Sequence, residues 1–157
     1  MNTSFRLIAL PSAQFLPLFS QSNSELHAVG ARRMAVDESP GVPCRVSLVD
    51  AAVGETVLLF PFTHHDVLSP YRASGPIFVR RDATTAIPAL DEIPAMFRHR
   101  LLSLRGYDES AMMVDADVVN GSELEDAIRR LFASEGMSYL HVHSARTGCY
   151  LCRAVRA

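Results

Sequence analysis

The sequence predicts an α+β fold, a single domain in which a largely antiparallel β-sheet is packed by two or three helices. Short alternating runs of β-forming residues, including a hairpin near the C-terminus, favour antiparallel strands. Two capping-box patterns mark the starts of helices. The chain has 157 residues, 48% hydrophobic and 20% charged, and such a composition is typical of one globular domain over 1–157.

The first third of the chain predicts one helix among several short strands. Ser22 and Glu25 form a capping box, in which the hydroxyl accepts a backbone N–H and the carboxylate reaches back. The helix that begins there is expected to stop at Gly30. The strands predicted in this part are 5–10, 33–36 and 44–49, with a helical turn over 13–19.

The middle of the chain contains the most continuously apolar segment, 56–62. A run of this kind predicts a central strand whose two faces are both covered. A loop rich in Ser, Pro and Gly follows over 69–76 and leads into a strand predicted at 77–80.

Two interpretations compete for the segment after Pro94. Proline fits the first position of a helix, because its missing N–H is not needed there, and such a helix would run to about Leu104. Alternatively, 102–107 forms a strand paired with 112–119, in which apolar and polar residues alternate strictly. A second capping box then predicts a helix over 122–133.

The C-terminal hairpin concentrates the reactive side chains. Residues two apart on a strand share a face, so a strand over 139–144 places His141 and His143 side by side. A turn containing Gly148 leads to a return strand that starts near Cys149.

The loop length of this hairpin decides which cysteine faces the histidines. Cys149 and Cys152 are three apart and point to opposite faces of a regular strand. A three-residue loop with Gly148 as its bulge residue selects Cys149, whereas a two- or four-residue loop selects Cys152. The position of the glycine favours Cys149.

Charge and targeting signals exclude several classes of partner. A formal net charge of −2 gives no basis for binding nucleic acid or an anionic membrane. No segment predicts a signal peptide or a membrane span. Three cysteines without an export signal predict reduced thiols in the cytoplasm. The mean hydropathy of +0.12, together with an edge hairpin, predicts a homodimer.

Four motifs resemble one protein family. They cover 41–48, 69–80, 112–117 and 141–150, the last reading His-Val-His-Ser-Ala-Arg-x-Gly-Cys-Tyr. On these motifs the chain resembles the bacterial domain of unknown function 1203 family. The resemblance implies a small, stand-alone bacterial protein, and it carries no activity and no catalytic residue with it.

Arginines in turns suggest an anion site. Arg72 and Arg146 each lie in a turn near a glycine, where backbone N–H groups can also face a ligand. We predict that they share a pocket with Ser74, His141 and His143, and that the pocket binds a small anionic ligand such as phosphate or a dicarboxylate. The alternative is that the arginines form structural ion pairs with nearby carboxylates.

Two further hypotheses stay open from the sequence. His141, His143 and Cys149 offer imidazole and thiolate ligands to zinc or iron, which would make the protein a small metal-dependent enzyme. Against this, the histidines can equally be packed with their nitrogens satisfied inside the protein. The third hypothesis is a structural, dimer-forming protein without a small ligand.

Overall fold

The computed structural model describes residues 3–157. Its strands are β1 (Phe5–Ile8), β2 (Arg32–Ala35), β3 (Thr56–His65), β4 (Ala73–Arg80), β5 (Leu101–Tyr107), β6 (Met113–Asn120), β7 (Tyr139–Ser144) and β8 (Tyr150–Arg156). Its α-helices are α1 (Asn23–Ala28), α2 (Ala95–Arg98) and α3 (Leu124–Phe132). Short 3-10 helices cover Ser12–Gln14, Leu16–Ser20 and Gly121–Glu123.

The strands form two antiparallel sheets. One sheet has five strands in the order β1-β8-β7-β5-β6, and the other has three in the order β2-β3-β4. The predicted α+β class with largely antiparallel strands is confirmed. The helical part is smaller than predicted, because α1 has six residues, α2 four and α3 nine.

The five-stranded sheet has one apolar face covered by α2 and α3. Alternate residues of β5 and β7, such as Leu102, Leu104 and Val142, meet Ile128 and Phe132 of α3 in the main core. The opposite face of β7 carries its histidines and lies against the end of β3. A second core, on the far side of the small sheet, packs its strands against α1 and the first 3-10 helices.

The helix predicted from Pro94 to Leu104 forms only at its start, and the competing strand interpretation is confirmed for the rest. Helical structure ends at Arg98, and β5 begins at Leu101. β5 forms backbone hydrogen bonds with β6 on one side and β7 on the other. Strand pairing on both sides places Leu102 and Leu104 in the main core beside Val142 of β7, a contact between distant residues that the local spacing does not reveal.

The predicted strand over 44–49 is also wrong. The segment turns back on itself, with Leu48 N donating to Cys44 O at 3.0 Å and Cys44 N donating to Val49 O at 3.0 Å. Leu48 takes a positive φ of 53°, which a strand excludes. A single parallel bridge, Cys44 to Phe78, attaches the segment to β4.

The predicted homodimer stays a prediction, but the edge position given to the C-terminal hairpin is wrong, because β7 and β8 both lie inside the five-stranded sheet. We expect the edge strand β6 to form the dimer instead. β6 lies at an edge of the five-stranded sheet, and its Val114 and Val118 are 49% and 56% exposed. An edge strand presents unpaired backbone groups to a second copy. We expect sedimentation at tens of micromolar to show a dimer that Val118→Lys dissociates. A wild-type protein that sediments as a monomer would contradict this.

Within residues 3–157, no helix is long and apolar enough to cross a membrane.

Candidate functional site

Histidine and tyrosine rings fill the space between the two sheets. We call this group the histidine–tyrosine cluster; it comprises His64, His65, Tyr107, Tyr139, His141, His143 and Tyr150. The ring centroids of His65 and His141 are 4.8 Å apart, and those of His64 and His143 are 5.2 Å apart. His141 and His143 share one face of β7, as predicted, and this face meets His64 and His65 of β3.

Hydrogen bonds fix the tautomers of two of these histidines. His65 Nδ1 lies 2.7 Å from the carbonyl oxygen of Tyr71, and His65 Nε2 lies 2.6 Å from the hydroxyl of Tyr139. Because a carbonyl only accepts, Nδ1 carries the proton and Nε2 accepts from the tyrosine. His143 Nδ1 likewise donates to Gly148 O at 3.0 Å. These hydrogen bonds hold both rings in fixed orientations.

Burial favours the neutral form of His64, His141 and His143. His141 is 3% and His143 1% exposed. Burial lowers the pKa of His141 to about 2, with help from the neighbouring histidines, and that of His143 to about 4. Burial also lowers the pKa of the half-buried His64 to about 4. His64, His141 and His143 are thus uncharged at neutral pH.

The hairpin does not bring a cysteine to the histidines. Its register pairs His143 with Tyr150 and Val142 with Cys152, with a β-bulge between the two pairs. Cys152 therefore faces the main core, and Tyr150 takes the place beside the histidines that was predicted for Cys149. Cys149 is partly exposed and lines a separate cleft, together with Arg45.

The predicted metal set of His141, His143 and Cys149 is consequently not assembled. In the described part of the chain, no three His, Cys, Asp or Glu side chains are placed to hold a metal ion. All three cysteines are free, and the cytoplasmic location inferred from them stays a prediction.

Four arginines line one large cleft, which we call the arginine cleft. Arg45, Arg98, Arg100 and Arg146 surround a cavity of about 810 Å³. None of the described residues that line the cavity is acidic. The four arginines come from distant parts of the sequence: the turn before β3, the α2–β5 junction and the β7–β8 turn. A hydrogen bond from Ala145 N to Leu101 O, 2.9 Å long, holds the last two together.

Arg45 is the most unusual of the four. It is 2% exposed, and its guanidinium donates from Nε to Tyr150 O at 2.7 Å and from Nη1 to Pro43 O at 2.6 Å. Both acceptors are neutral, and no carboxylate among the described residues forms an ion pair with it. Burial lowers the pKa of Arg45 to about 10, so it remains charged at neutral pH.

The other arginines of the cleft differ in whether a carboxylate neutralises their charge. Arg100 forms a partly buried ion pair with Asp50, with Nη2 2.5 Å from Oδ1. Arg98 and Arg146 are exposed, and neither forms an ion pair within residues 3–157. The cleft therefore carries a clear excess of positive charge.

The sequence-predicted anion site is only partly assembled. Arg146 lines the arginine cleft, whereas Arg72 lies outside it and pairs with Asp66. Ser74 shares a hydrogen bond of 2.9 Å with Thr63 in an exposed position. His141 and His143 belong to the histidine–tyrosine cluster. The structure thus separates Arg72 from Arg146, because their turns lie at opposite ends of β5.

Sequence reasoning missed the importance of Arg98 and Arg100. Both lie in the segment predicted as one long helix, whereas the structure ends that helix at Arg98 and places Arg100 just before β5. Arg80, by contrast, forms the structural ion pair with a carboxylate that the alternative interpretation predicted, with Nη2 2.7 Å from Glu55 Oε1. Arg98 and Arg100 line the cleft and Arg80 does not, and this placement depends on the fold.

These features define an α+β protein with two antiparallel sheets and a basic cleft of small-molecule size. A family model described as "Protein of unknown function (DUF1203)" matches residues 41–156, and the chain belongs to that family. The resemblance seen in the sequence is confirmed, while a bacterial source stays a prediction. No curated protein and no solved structure matches the chain.

Proposed function

We propose that the protein binds a small anionic molecule in the arginine cleft. The observation that carries this proposal is Arg45, a buried guanidinium with only neutral acceptors. Taking a charge out of water is costly unless an opposite charge compensates for it. An anion in the cleft would supply that charge, and its oxygens suit the planar N–H groups of a guanidinium.

The rest of the cleft supports an anion over a neutral ligand. Arg98 and Arg146 approach from two separate turns and add positive charge that no acidic residue of the lining cancels.

Titration with inorganic phosphate and with pyrophosphate tests the proposal. We expect both ions to raise the melting temperature, with about 2.7 kcal/mol of added stability at one hundred times the dissociation constant. Arg146→Ala and Arg98→Ala should each weaken binding roughly tenfold, the size expected for one charge-assisted hydrogen bond. Higher salt should weaken binding further by screening.

A matched control separates a site from a general charge effect. Arg72→Ala removes an arginine that is equally exposed but lies outside the cleft, and it should leave the affinity unchanged. Equal losses for Arg72→Ala and Arg146→Ala would show that only net charge matters. Absence of any stabilisation by either ion, in low salt, would contradict the proposal.

Arg45→Met tests directly whether the buried charge of Arg45 contributes to anion binding. It removes the buried charge and keeps an unbranched apolar stem of similar length. We expect a loss of phosphate affinity of about a hundredfold, larger than for either exposed arginine, because the lost hydrogen bonds are the least solvated. Calorimetry on folded variant protein measures this, and circular dichroism checks the fold.

A further inference from the structure

We propose that the anion held by the arginine cleft is organic and carries an aromatic or heteroaromatic ring, which packs on the small sheet. This inference rests on the proposed function and narrows the class of ligand. It depends on a different part of the cleft, the wall that contains no charge.

That wall is formed by apolar side chains of β3 and β4. Leu59 and Phe78 are directly paired across the two strands, and Pro76 lies two positions before Phe78 on the same face. Pro43 and Leu101 complete the apolar lining. None of the three sheet residues is buried, although all are apolar and lie together. Ligand sites in proteins typically combine a surface of this kind with a few placed polar groups.

The apolar wall adjoins the buried guanidinium of Arg45. The guanidinium carbon of Arg45 lies 6.0 Å from the centroid of the Phe78 ring. Arg45 N also donates to Phe78 O at 3.1 Å, so the backbone fixes the two residues to each other. A ligand whose anionic group contacts Arg45 therefore places its adjoining atoms against Phe78. A planar ring fits there by stacking or edge-to-face contact.

The size of the cleft agrees with a ligand larger than an inorganic ion. Its volume of about 810 Å³ falls in the range of roughly 300–1,000 Å³ found for sites of drug-sized molecules. A phosphate ion would contact the arginines and leave the apolar wall in water. A ring attached to the anion would cover Leu59, Pro76 and Phe78 and gain their burial.

Phosphate monoesters of matched charge test the inference. The probes are 1-naphthyl phosphate, phenyl phosphate and methyl phosphate, together with inorganic phosphate and uncharged 1-naphthol. We expect 1-naphthyl phosphate to bind at least tenfold more tightly than methyl phosphate. Methyl phosphate should bind about as well as inorganic phosphate, and 1-naphthol should bind far more weakly than its ester.

Two variants locate the ring. Phe78→Leu keeps an apolar side chain but removes the ring, and it should weaken naphthyl phosphate three- to tenfold while leaving inorganic phosphate unchanged. Leu59→Asn makes the wall polar without altering Phe78 and should act in the same direction. Ile87→Asn changes an apolar residue, 88% exposed, that is not part of the cleft lining, and it should have no effect.

Cys149 provides an independent readout of location. It lines the cleft, whereas Cys44 and Cys152 are buried, so a thiol reagent added to native protein reports on Cys149. Saturating naphthyl phosphate should slow this labelling at least threefold. Labelling that is unchanged at saturation would overturn the inference.

The outcomes separate this inference from the function on which it rests. Tight phosphate binding with no gain from the ring, or a gain that survives both Phe78→Leu and Leu59→Asn, would overturn the inference and leave the anion site in place. Binding of neither inorganic phosphate nor the esters would remove the anion site itself.

Discussion

Lowering the pH from 7.5 to about 5 is expected to remove much of the free energy of unfolding. The pKa values of His141 and His143 in the folded protein, about 2 and about 4, lie below the ordinary value of 6.5. The unfolded chain therefore binds protons that the folded chain excludes. Below pH 6.5, each such histidine lowers the free energy of unfolding by about 1.36 kcal/mol per pH unit. The two together lower it by about 4 kcal/mol at pH 5.

The pH window distinguishes these histidines from the carboxylates. A group whose folded pKa is depressed contributes stability that is complete above its unfolded pKa and is lost as the pH falls. For the histidines this loss begins near 6.5. For Asp50 burial alone would raise the pKa, but hydrogen bonds from Arg100 and His99 outweigh it and hold the pKa below 3.8, so its contribution is lost only in stronger acid.

Urea unfolding at several pH values measures the effect, and single variants assign it. His141→Leu should flatten the dependence of the free energy of unfolding on pH, because the buried Nδ1 of His141 has no hydrogen-bond partner among the described residues and the apolar replacement has no proton to gain. When the pH is lowered to 5, we expect the variant to lose about 2 kcal/mol less of its free energy of unfolding than wild type does. His27→Gln, on the exposed side of α1, is the control. Parallel slopes for wild type and His141→Leu would contradict this account.

The alternation of the C-terminal strand was sufficient to predict that three members of the cluster share one face. Every second residue from Tyr139 to His143 faces β3, and this follows from the period of a strand alone. The β-bulge after Val142 was not predictable, because it depends on how β8 pairs, and it moved both cysteines away from the histidines. The place of His64 and His65 in the cluster was not predictable either, since their approach to β7 is a contact between sheets.

The arginine cleft shows why a site can escape sequence reasoning altogether. Arg45 lies in a segment that was predicted as a strand but turns back, and Arg98 in one whose apolar spacing also fitted a longer helix. Only pairing of β5 with two neighbours decides against that helix. The charge on Arg146 was visible in the sequence, but its partners lie about fifty and a hundred positions away. No local pattern links such residues.

Gly121→Ala is expected to produce the largest loss of stability from a single methyl group. A Cβ at this position would lie 1.9 Å from the carbonyl oxygen of Phe97 and 2.8 Å from the Cα of Arg98. Both are backbone atoms, which cannot move aside as a flexible side chain can. Overpacking of this kind costs about 3 kcal/mol, or roughly 6–12 °C in melting temperature for a chain of this length.

The same substitution is expected to damage the arginine cleft. Gly121 N donates to Arg100 O at 2.8 Å, so the close approach of glycine to α2 sets the position from which Arg98 and Arg100 reach the cleft. Gly136→Ala is the matched control, because a Cβ there meets no atom within 4 Å. Differential scanning calorimetry and phosphate titration of both variants test this argument. Equal melting temperatures would show that α2 does not contact Gly121 as closely as described, and unchanged phosphate affinity in folded Gly121→Ala would show that this contact does not position the arginines.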